Sequence, residues 1–287
     1  MDGEPMDGEP VTGGSMSSAS RQTLAAARER LDEYADSAQP AELDALSGEL
    51  FAVAAVLARE PVLRRHLADS SMPAAARTGL LDRVLSGKVG QRTLEALHPL
   101  VSGRWSDPAD LVDAVETLAR QAALALAHGD GSLDDVEDEL FRFGRILDAQ
   151  PRLRTLLADP TAPAERRTEL LDAVLAGKVR PVTRQLLRQL VANLRGRNVE
   201  RAVEELSNLA AGRRGRYIAH VRAAAPLSPE HERRLAAALS RIYRRQVALQ
   251  VEVEPEVLGG LLVRVGDEII DGTVAGRLAE VRQRLAG

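Results

Sequence analysis

The feature that most constrains this chain is an internal repeat of about ninety residues. Residues 49–101 align with residues 139–191 without gaps, and about half of the positions are identical. The identical blocks are Glu49-Leu50-Phe51 with Glu139-Leu140-Phe141, Leu67-Ala68-Asp69 with Leu157-Ala158-Asp159, Leu80-Leu81-Asp82 with Leu170-Leu171-Asp172, and Gly87-Lys88-Val89 with Gly177-Lys178-Val179. Self-similarity at a fixed spacing indicates a structural unit that occurs more than once. We therefore predict two copies of one fold.

Both copies show helical periodicity. Apolar residues recur three and four positions apart along one stripe in each copy: Leu46, Leu50, Val53 and Leu57 in the first, and Leu140, Phe143 and Leu147 in the second. Pro61 and Pro151 are expected to end these helices, because proline cannot donate a hydrogen bond to the preceding turn. Gly87 is typical of the glycine that follows a helix C-terminus. With further helices predicted at 21–36, 108–128 and 198–212, residues 20–212 are expected to be all α.

The pattern changes from helical to alternating after Gly212. The predicted elements are, in order, a strand over 217–223, a helix from Ser228-Pro229-Glu230 to about Arg245, a strand over 247–253, a hairpin of 261–265 with 268–270, and a helix over 274–285. Gly266-Asp267 between the hairpin strands is a typical two-residue turn. This part of the chain is therefore expected to be a small α+β domain.

Together these patterns predict a mainly α protein, in which a tandem, duplicated helical bundle precedes a small α+β C-terminal domain. The expected segments are a disordered tail at 1–19, one bundle copy at 20–130, a second copy at 131–212 and the C-terminal domain at 213–287. The tail is rich in Gly, Pro, Ser and acidic residues, which bury too little apolar surface to offset the entropy of ordering. Met16 is an alternative start, because helical patterning begins just after it.

Composition excludes several classes of protein. The chain has no cysteine, so a disulfide framework, a thiolate zinc site and a cysteine nucleophile are ruled out. No stretch approaches the roughly 18–20 apolar residues that span a bilayer, and the acidic N-terminus lacks the apolar core of a signal peptide. The net charge is −4, with acids interspersed throughout, which argues against a nucleic-acid footprint. We expect a location in the cytosol or on the cytosolic side of a membrane.

The sequence lacks the motifs of catalysis and cofactor binding. Gly87-Lys88 and Gly177-Lys178 lack the earlier glycine and the following Ser or Thr of a phosphate-binding loop. The five histidines share no metal-ligand spacing. Arg213-Arg214-Gly215-Arg216 is a short basic run, which we interpret as a solvated linker. We predict no catalytic residue, no cofactor and no metal.

A glycine-rich pattern of fixed spacing occupies the last part of the chain. Its residues are Gly259, Gly260, Leu261, Val263, Gly266, Asp267, Ile270, Asp271, Gly272, Thr273, Gly276 and Leu278. This pattern resembles the signature of the delta subunit of F-type ATP synthases, whose mitochondrial equivalent is the oligomycin-sensitivity-conferring protein. The resemblance continues back to about residue 110, and 20–109 matches as an extra copy of the bundle. Because glycines permit turns and close backbone approach, the residues favour a structural role over direct contact.

The resemblance implies a mechanical function. Delta subunits are non-catalytic parts of the peripheral stalk, in which the bundle binds N-terminal helices of the alpha subunit and the C-terminal domain holds the ends of the b subunits. The beta subunit is a further candidate partner. The implied role is to keep the catalytic hexamer from turning with the rotor, so that proton-driven rotation yields ATP. The implied location is peripheral, on the cytoplasmic face of the plasma membrane, with separate b chains as the anchor.

In the family, the first and fifth helices of the bundle bind alpha. They correspond here to about 21–36 and 91–101 in the first copy, or to about 112–128 and 181–195 in the second. We expect the first copy to bind alpha, through the helix that carries Leu24, Ala27, Leu31 and Tyr34. The second copy would then be a spacer or an added contact to b.

Two other functions stay open at this point. The repeat alone would also suit a helical-repeat scaffold or regulator unrelated to the synthase, although only two copies with a distinct C-terminal domain argue against a solenoid. An enzyme of unknown class ranks last, because no motif supports catalysis.

Overall fold

The computed structural model describes residues 16–215, 218–242, 247–254, 260–265 and 268–271. These residues form twelve helices and four strands. The helices are α1 (Ser18–Ala35), α2 (Pro40–Arg59), α3 (Pro61–Ala68), α4 (Ala74–Leu85), α5 (Gln91–Ser102), α6 (Pro108–Gly129), α7 (Leu133–Ala149), α8 (Pro151–Ala158), α9 (Ala164–Leu175), α10 (Pro181–Ala192), α11 (Val199–Gly215) and α12 (Pro229–Ile242). The strands are β1 (Ile218–Ala223), β2 (Ala248–Val253), β3 (Leu261–Val265) and β4 (Glu268–Asp271). The prediction of a mainly α protein with a small α+β part at the C-terminal end is confirmed.

The helices repeat with the period of the sequence. Helices α3, α4 and α5 recur ninety residues later as α8, α9 and α10, with the same limits in each copy. Helix α6 begins ninety residues after α1 and so stands at the first position of the second copy. Helix α6 also comes directly after α5, just as α11 comes directly after α10. It is therefore the last helix of the first copy as well. The two copies therefore share one helix.

The described residues form two compact units. Unit 1 comprises the described residues up to Glu33 together with Ala45–Ala119, and unit 2 comprises Tyr34–Asp44 and the described residues from Arg120 onward. The division falls inside α6.

Helix α6 is buried around most of its circumference. Leu111, Leu118 and Leu124 have no exposed surface, and even Glu116 and Arg120 are buried. A helix that is buried on all sides is typical of the centre of a helical protein. Its many alanines allow neighbouring helices to approach closely, which explains how a chain with only seven aromatic residues packs a core.

The predicted apolar stripes face the core. Leu46, Leu50, Val53, Leu57, Leu140, Phe143 and Leu147 are all buried. Pro61 and Pro151 are the first residues of α3 and α8, directly after the ends of the preceding helices. Gly87 and Gly177 follow α4 and α9 with φ of +73° and +69°, a left-handed conformation that favours glycine. The sequence-based predictions for these positions are confirmed.

A glutamate of the second helix caps the fifth helix in each copy. The Glu49 carboxylate accepts hydrogen bonds from the Gly90 N–H, at 2.7 Å, and from the Thr93 hydroxyl at the start of α5. The Glu139 carboxylate accepts the same pair of bonds at α10, from the Arg180 N–H, at 2.9 Å, and the Thr183 hydroxyl. A carboxylate at a helix N-terminus accepts hydrogen bonds from N–H groups that have no partner in the helix, and its negative charge interacts favourably with the helix dipole. The cap therefore ties two helices of each copy together.

An arginine in the fourth helix closes the other end of the fifth helix. The Arg77 guanidinium, which is buried, donates to the carbonyls of Gly103 at 2.8 Å and Ser102 at 3.1 Å. Its repeat equivalent Arg167 donates to the Ala192 carbonyl at 3.3 Å. Cations are favourable at helix C-termini, where carbonyls lack partners in the helix. Both ends of the fifth helix are thus fixed by neighbouring helices in each copy.

Removing the glutamate cap should weaken both copies by a similar amount. Glu49→Gln keeps the shape of the side chain but replaces charge-assisted hydrogen bonds with neutral ones, so we expect a loss of about 1 kcal/mol in the free energy of unfolding. Glu139→Gln should cost about the same, and the two losses should add because the residues have no shared partners. Urea titrations followed by circular dichroism would measure both. A double variant as stable as either single variant would contradict independent caps.

The C-terminal part of unit 2 is a sheet with the strand order β2-β1-β3-β4. Strands β1 and β2 are parallel and joined through α12, whereas β1 with β3 and β3 with β4 are antiparallel. The Ser228 hydroxyl accepts a hydrogen bond from the His231 N–H at 3.2 Å, so the predicted helix start is confirmed. One face of the sheet packs against α12 and forms a small hydrophobic core. Its buried residues are Ala219, Val221, Leu239, Val247, Val263 and Val265.

Candidate functional site

An open groove lies between α1 and α5 in unit 1. Its volume is about 500 Å³, and it is lined on one side by Gln22, Ala26 and Arg30 and on the other by His98 and Pro99. The three α1 side chains are exposed. They follow one stripe of the helix, next to the stripe that faces the core. Most of the lining side chains are small and uncharged, so the groove presents a surface between two helices of the kind that accepts a third helix.

The width of this groove is set by a close approach at its end. A Cβ atom on Gly103 would lie 2.1 Å from Cγ2 and 2.7 Å from Oγ1 of Thr23. Thr23 also meets the next residue through its hydroxyl, which lies 3.3 Å from both the N–H and the carbonyl oxygen of Arg104. Only glycine at position 103 allows α1 to lie this close to the end of α5. The position of α1, and with it the groove wall, depends on this contact.

Adding one methyl group at this contact should displace α1. We expect Gly103→Ala to lower the free energy of unfolding by about 1–3 kcal/mol, because β-branched Thr23 has little freedom to move aside. Thr23→Ala should restore part of that loss in the double variant. Thermal unfolding of the three variants would measure the coupling.

Gly79→Ala is the matched control for this prediction. Gly79 lies inside α4, and a Cβ atom there would meet nothing within 4 Å. Alanine is therefore expected to stabilise the protein there by about 0.5–1 kcal/mol. Equal effects of Gly79→Ala and Gly103→Ala would show that helix propensity, and not the close approach to Thr23, governs both positions.

The predicted docking residues on α1 point mostly inward. Leu24, Ala27 and Leu31 are at most 7% exposed, and Tyr34 is half-buried. These side chains hold α1 in the protein, and the adjacent stripe with Ala26 lines the groove. The sequence-based prediction named the buried stripe of this helix and not the groove stripe, because Gln22, Ala26 and Arg30 carry no apolar signal. Their spacing of four residues, next to the core stripe, was the signal that could have found them.

The equivalent positions of the second copy are closed. Ninety residues after Gln22, Ala26 and Arg30 stand Val112, Glu116 and Arg120 of α6, which are 2%, 4% and 9% exposed. Within unit 1, α2 packs on this helix, and the Ser47 hydroxyl donates to the Ala119 carbonyl at 3.0 Å. The sharing of α6 therefore covers the surface that is open on α1.

In unit 2 a segment of the chain lines the cleft between α6 and α10, the first and fifth helices of the second copy. Pro40 and Ala41, from the start of α2, line a cleft together with Leu126 of α6 and Pro181 and Val182 of α10. The first and fifth helices of the second copy thus have a segment of this chain beside them. The first and fifth helices of the first copy have an open groove.

The fifth helices also differ in charge. On α5, His98 Nε2 lies 2.7 Å from the Asp82 carboxylate, whereas on α10 both Arg184 and Arg188 contact the equivalent carboxylate of Asp172. The hydrogen bond from Arg184, together with the charge of Arg188, holds the pKa of the Asp172 carboxyl below its ordinary value. The fifth helix of the second copy therefore carries a cluster of guanidinium groups that the first copy lacks.

The Asp172 cluster should contribute stability that disappears in acid. Because the folded-state pKa is lowered, the contribution is present at neutral pH and is lost as the pH falls below about 4. Asp172→Asn should therefore lower the free energy of unfolding by about 0.5–1 kcal/mol at pH 7, a modest value because the arginines are partly exposed. Denaturant titrations from pH 7 to pH 3 should show the difference from the unmodified protein shrinking. Glu169→Gln, an exposed change on the same helix, is the control and should show a smaller effect.

The interpretation of Arg213 as part of a solvated linker is wrong. Helix α11 continues to Gly215, and Arg213 is only 2% exposed. Its guanidinium donates to the Gln121 side-chain oxygen at 3.1 Å and lies 3.5 Å from the Gln121 carbonyl. The partner is 92 residues away in sequence, so a local charge pattern could not reveal it.

Comparisons with known proteins show the family to which this chain belongs. The family described as ATP synthase delta (OSCP) subunit matches residues 119–285. Proteins named ATP synthase subunit delta from Streptomyces griseus and Parafrankia sp. are 50% and 47% identical, and the alignments cover 95% and 94% of this chain and 100% and 99% of theirs. The chain belongs to the ATP synthase delta (OSCP) subunit family. This match eliminates the alternative of a scaffold unrelated to the synthase.

A delta subunit is a non-catalytic subunit of the ATP synthase peripheral stalk, and that is the role of this protein. The family match begins at residue 119, so it covers the second copy and the C-terminal domain. The alignments to individual relatives extend over nearly the whole chain, so these relatives contain the first copy as well. A chain of the Toxoplasma gondii mitochondrial ATP synthase hexamer is 21% identical with a TM-score of 0.32, over 58% of this chain and 95% of that chain, which is too low to support an argument.

The delta-subunit signature lies in the C-terminal sheet, as far as the structure describes it. Gly260 has φ of +87°, a conformation that favours glycine, and Val263 is buried in the sheet core opposite Val221. Leu261 is partly buried, Ile270 is 38% exposed, and Asp271 pairs with Leu262 at the end of β4. The signature residues outside the described ranges are Gly259, Gly266, Asp267, Gly272, Thr273, Gly276 and Leu278. The predicted helix over 274–285 also lies outside those ranges.

The hairpin that the signature predicts is supported by its strands. β3 and β4 are antiparallel, and Val265 pairs with Glu268 across the two positions that hold Gly266-Asp267. Within the described ranges, no group of three or more His, Asp or Glu side chains is placed to hold a metal ion. None of the helices described here is both long enough and apolar enough to cross a bilayer.

Proposed function

We propose that the first bundle copy of this delta subunit binds an N-terminal helix of the alpha subunit in the α1–α5 groove. The observation that carries the proposal is the contrast between copies. Gln22, Ala26 and Arg30 are exposed along α1, whereas the equivalent positions on α6 are buried. An amphipathic helix needs an open groove to bury its apolar face. In the first copy no other described segment of the chain lines this groove, whereas Pro40 and Ala41 line the equivalent cleft of the second copy.

The C-terminal α+β domain would hold the ends of the b subunits, with the beta subunit as a further contact of the bundle. In this proposal the bundle contacts the catalytic hexamer, and the C-terminal domain contacts the membrane-anchored b subunits. The protein then resists rotation of the alpha/beta hexamer, so that proton-driven turning of the rotor yields ATP. The location would be peripheral, on the cytoplasmic face of the plasma membrane. The support for these assignments is membership of the delta-subunit family.

A charged side chain in the groove should abolish the interaction with alpha. Ala26→Arg introduces a long cation where a helix would pack, so we expect the affinity for an N-terminal peptide of the alpha subunit to fall at least tenfold, about 1.4 kcal/mol. Isothermal titration calorimetry would measure it. The same variant, added back to membranes stripped of delta, should restore less proton-driven ATP synthesis than the unmodified protein.

Ala25→Arg is the matched control for this experiment. It is the same substitution at an exposed neighbouring position of α1 that does not line the groove. It should change the affinity less than twofold. If the peptide binds both variants as tightly as the unmodified chain, alpha does not use this groove and the proposal is wrong.

A further inference from the structure

A second groove lies between α7 and α11 of unit 2. Its volume is about 430 Å³, and Phe141, Gly144 and Arg145 from α7 face Glu200, Val203 and Glu204 from α11 across it. These are the second and last helices of the second copy. The groove is therefore distinct from the α1–α5 groove, which uses the first and fifth helices.

Phe141 is the residue that marks this groove. It is 61% exposed, although it is one of only three phenylalanines in the chain. Its repeat equivalent Phe51, in the same Glu-Leu-Phe block, is 3% exposed. The neighbouring pair Leu50 and Leu140 is fully buried in both copies. The two copies thus differ at this apolar position, which is buried in the first copy and exposed in the second.

Gly144 gives a second, independent indication. It lies one turn after Phe141 within α7, where glycine lowers helix stability relative to alanine. A Cβ atom at this position would meet only Val203, at 3.8 Å, which is an ordinary contact. The first copy has Ala54 at the equivalent position, and it is buried. The fold of the chain therefore has room for alanine here, and glycine allows a neighbouring backbone to approach more closely than alanine would.

The charges around the groove indicate the chemistry of that neighbour. Arg145 is the only cation among the lining residues, against the carboxylates of Asp148, Glu200 and Glu204. The Glu200 carboxylate is paired with Arg154 of α8, so the excess of negative charge comes from Asp148 and Glu204, against the single lining cation Arg145. An exposed aromatic side chain beside this modest negative excess is complementary to a helix that has an apolar stripe and basic flanks.

We propose that the α7–α11 groove binds a basic amphipathic helix of another subunit of the assembled ATP synthase, which covers Phe141 and packs against Gly144. This inference rests on the proposed function, because it needs the chain to be part of the assembled stalk. It is independent of the α1–α5 groove. In this proposal the second copy binds one subunit through the α7–α11 groove, while the first copy binds alpha through the α1–α5 groove.

The absence of cysteine from the chain permits a direct test. Phe141→Cys should react with a maleimide quickly in the isolated protein and at least tenfold more slowly in the purified synthase. Ile146→Cys is the matched control, since it lies on the same helix, is 41% exposed and does not line the groove. Its rate should change less than threefold on assembly.

Other rates at position 141 would overturn the proposal. Slow labelling in the isolated protein at every concentration would mean that the chain covers its own groove, and slowing with concentration would mean that a second copy does. Equal labelling before and after assembly would mean that the groove stays empty. The amount of delta in the purified complex is measured in the same sample, so failure to assemble, which would count against the proposed function, is distinguished from an incorporated chain with an open groove.

A peptide experiment decides the matter where a variant does not assemble. The probe is a helix of about 18 residues with a Leu/Ala stripe and Lys flanks, compared with the same helix carrying Glu flanks. The Lys peptide should bind the isolated protein at least tenfold more tightly than the Glu peptide. Phe141→Asp should weaken the Lys peptide at least tenfold, and unchanged affinity would overturn the proposal.

Gly144→Ala separates binding from folding. Alanine favours helix, so this variant should raise the melting temperature of the isolated protein while it weakens the Lys peptide at least threefold. A gain in stability with undiminished binding would show that Gly144 has no role in the contact.

Discussion

The sharing of α6 by the two copies is the constraint on which the rest of the structure depends. A helix that closes one bundle and opens the next must be buried around its circumference, and Leu111, Leu118 and Leu124 accordingly have no exposed surface. The polar residues at the buried positions, Glu116 and Arg120, stand where α1 exposes Ala26 and Arg30. The same arrangement that joins the copies therefore removes the surface that the first copy keeps open.

The contacts that fix both ends of the fifth helix are retained in the two copies, whereas the exposed surfaces differ. Glu49 and Glu139 cap their fifth helices in the same way, and Arg77 and Arg167 close the other ends. One pair of equivalent residues shows the difference in surface, because Phe51 is buried and Phe141 is exposed. This is the pattern expected when both copies must hold the same bundle together but contact different neighbours.

Sequence reasoning predicted the features that depend on local chemistry. Helical stripes such as Leu46-Leu50-Val53-Leu57, the prolines at helix starts and the left-handed glycines follow from rules that operate within a few residues. The β-α-β order and the hairpin of the C-terminal sheet were predictable for the same reason. The limits of α11 and the burial of Arg213 were not, because its partner Gln121 is 92 residues away. The side chains of the α1–α5 groove were missed since exposure beside a core stripe depends on which helix packs next to it.

The way in which α6 replaces the first helix of the second copy has a consequence for how such chains can change length. Since α1 and α6 begin ninety residues apart at the same point of the repeat, a recombination event inside the two helix-coding segments removes one period and leaves a single uninterrupted hybrid helix. The shortened chain needs no additional loop sequence, and it keeps one complete set of bundle helices. Loss of one bundle from this chain would then need a single genetic event, whose junction would lie in the middle of a helix.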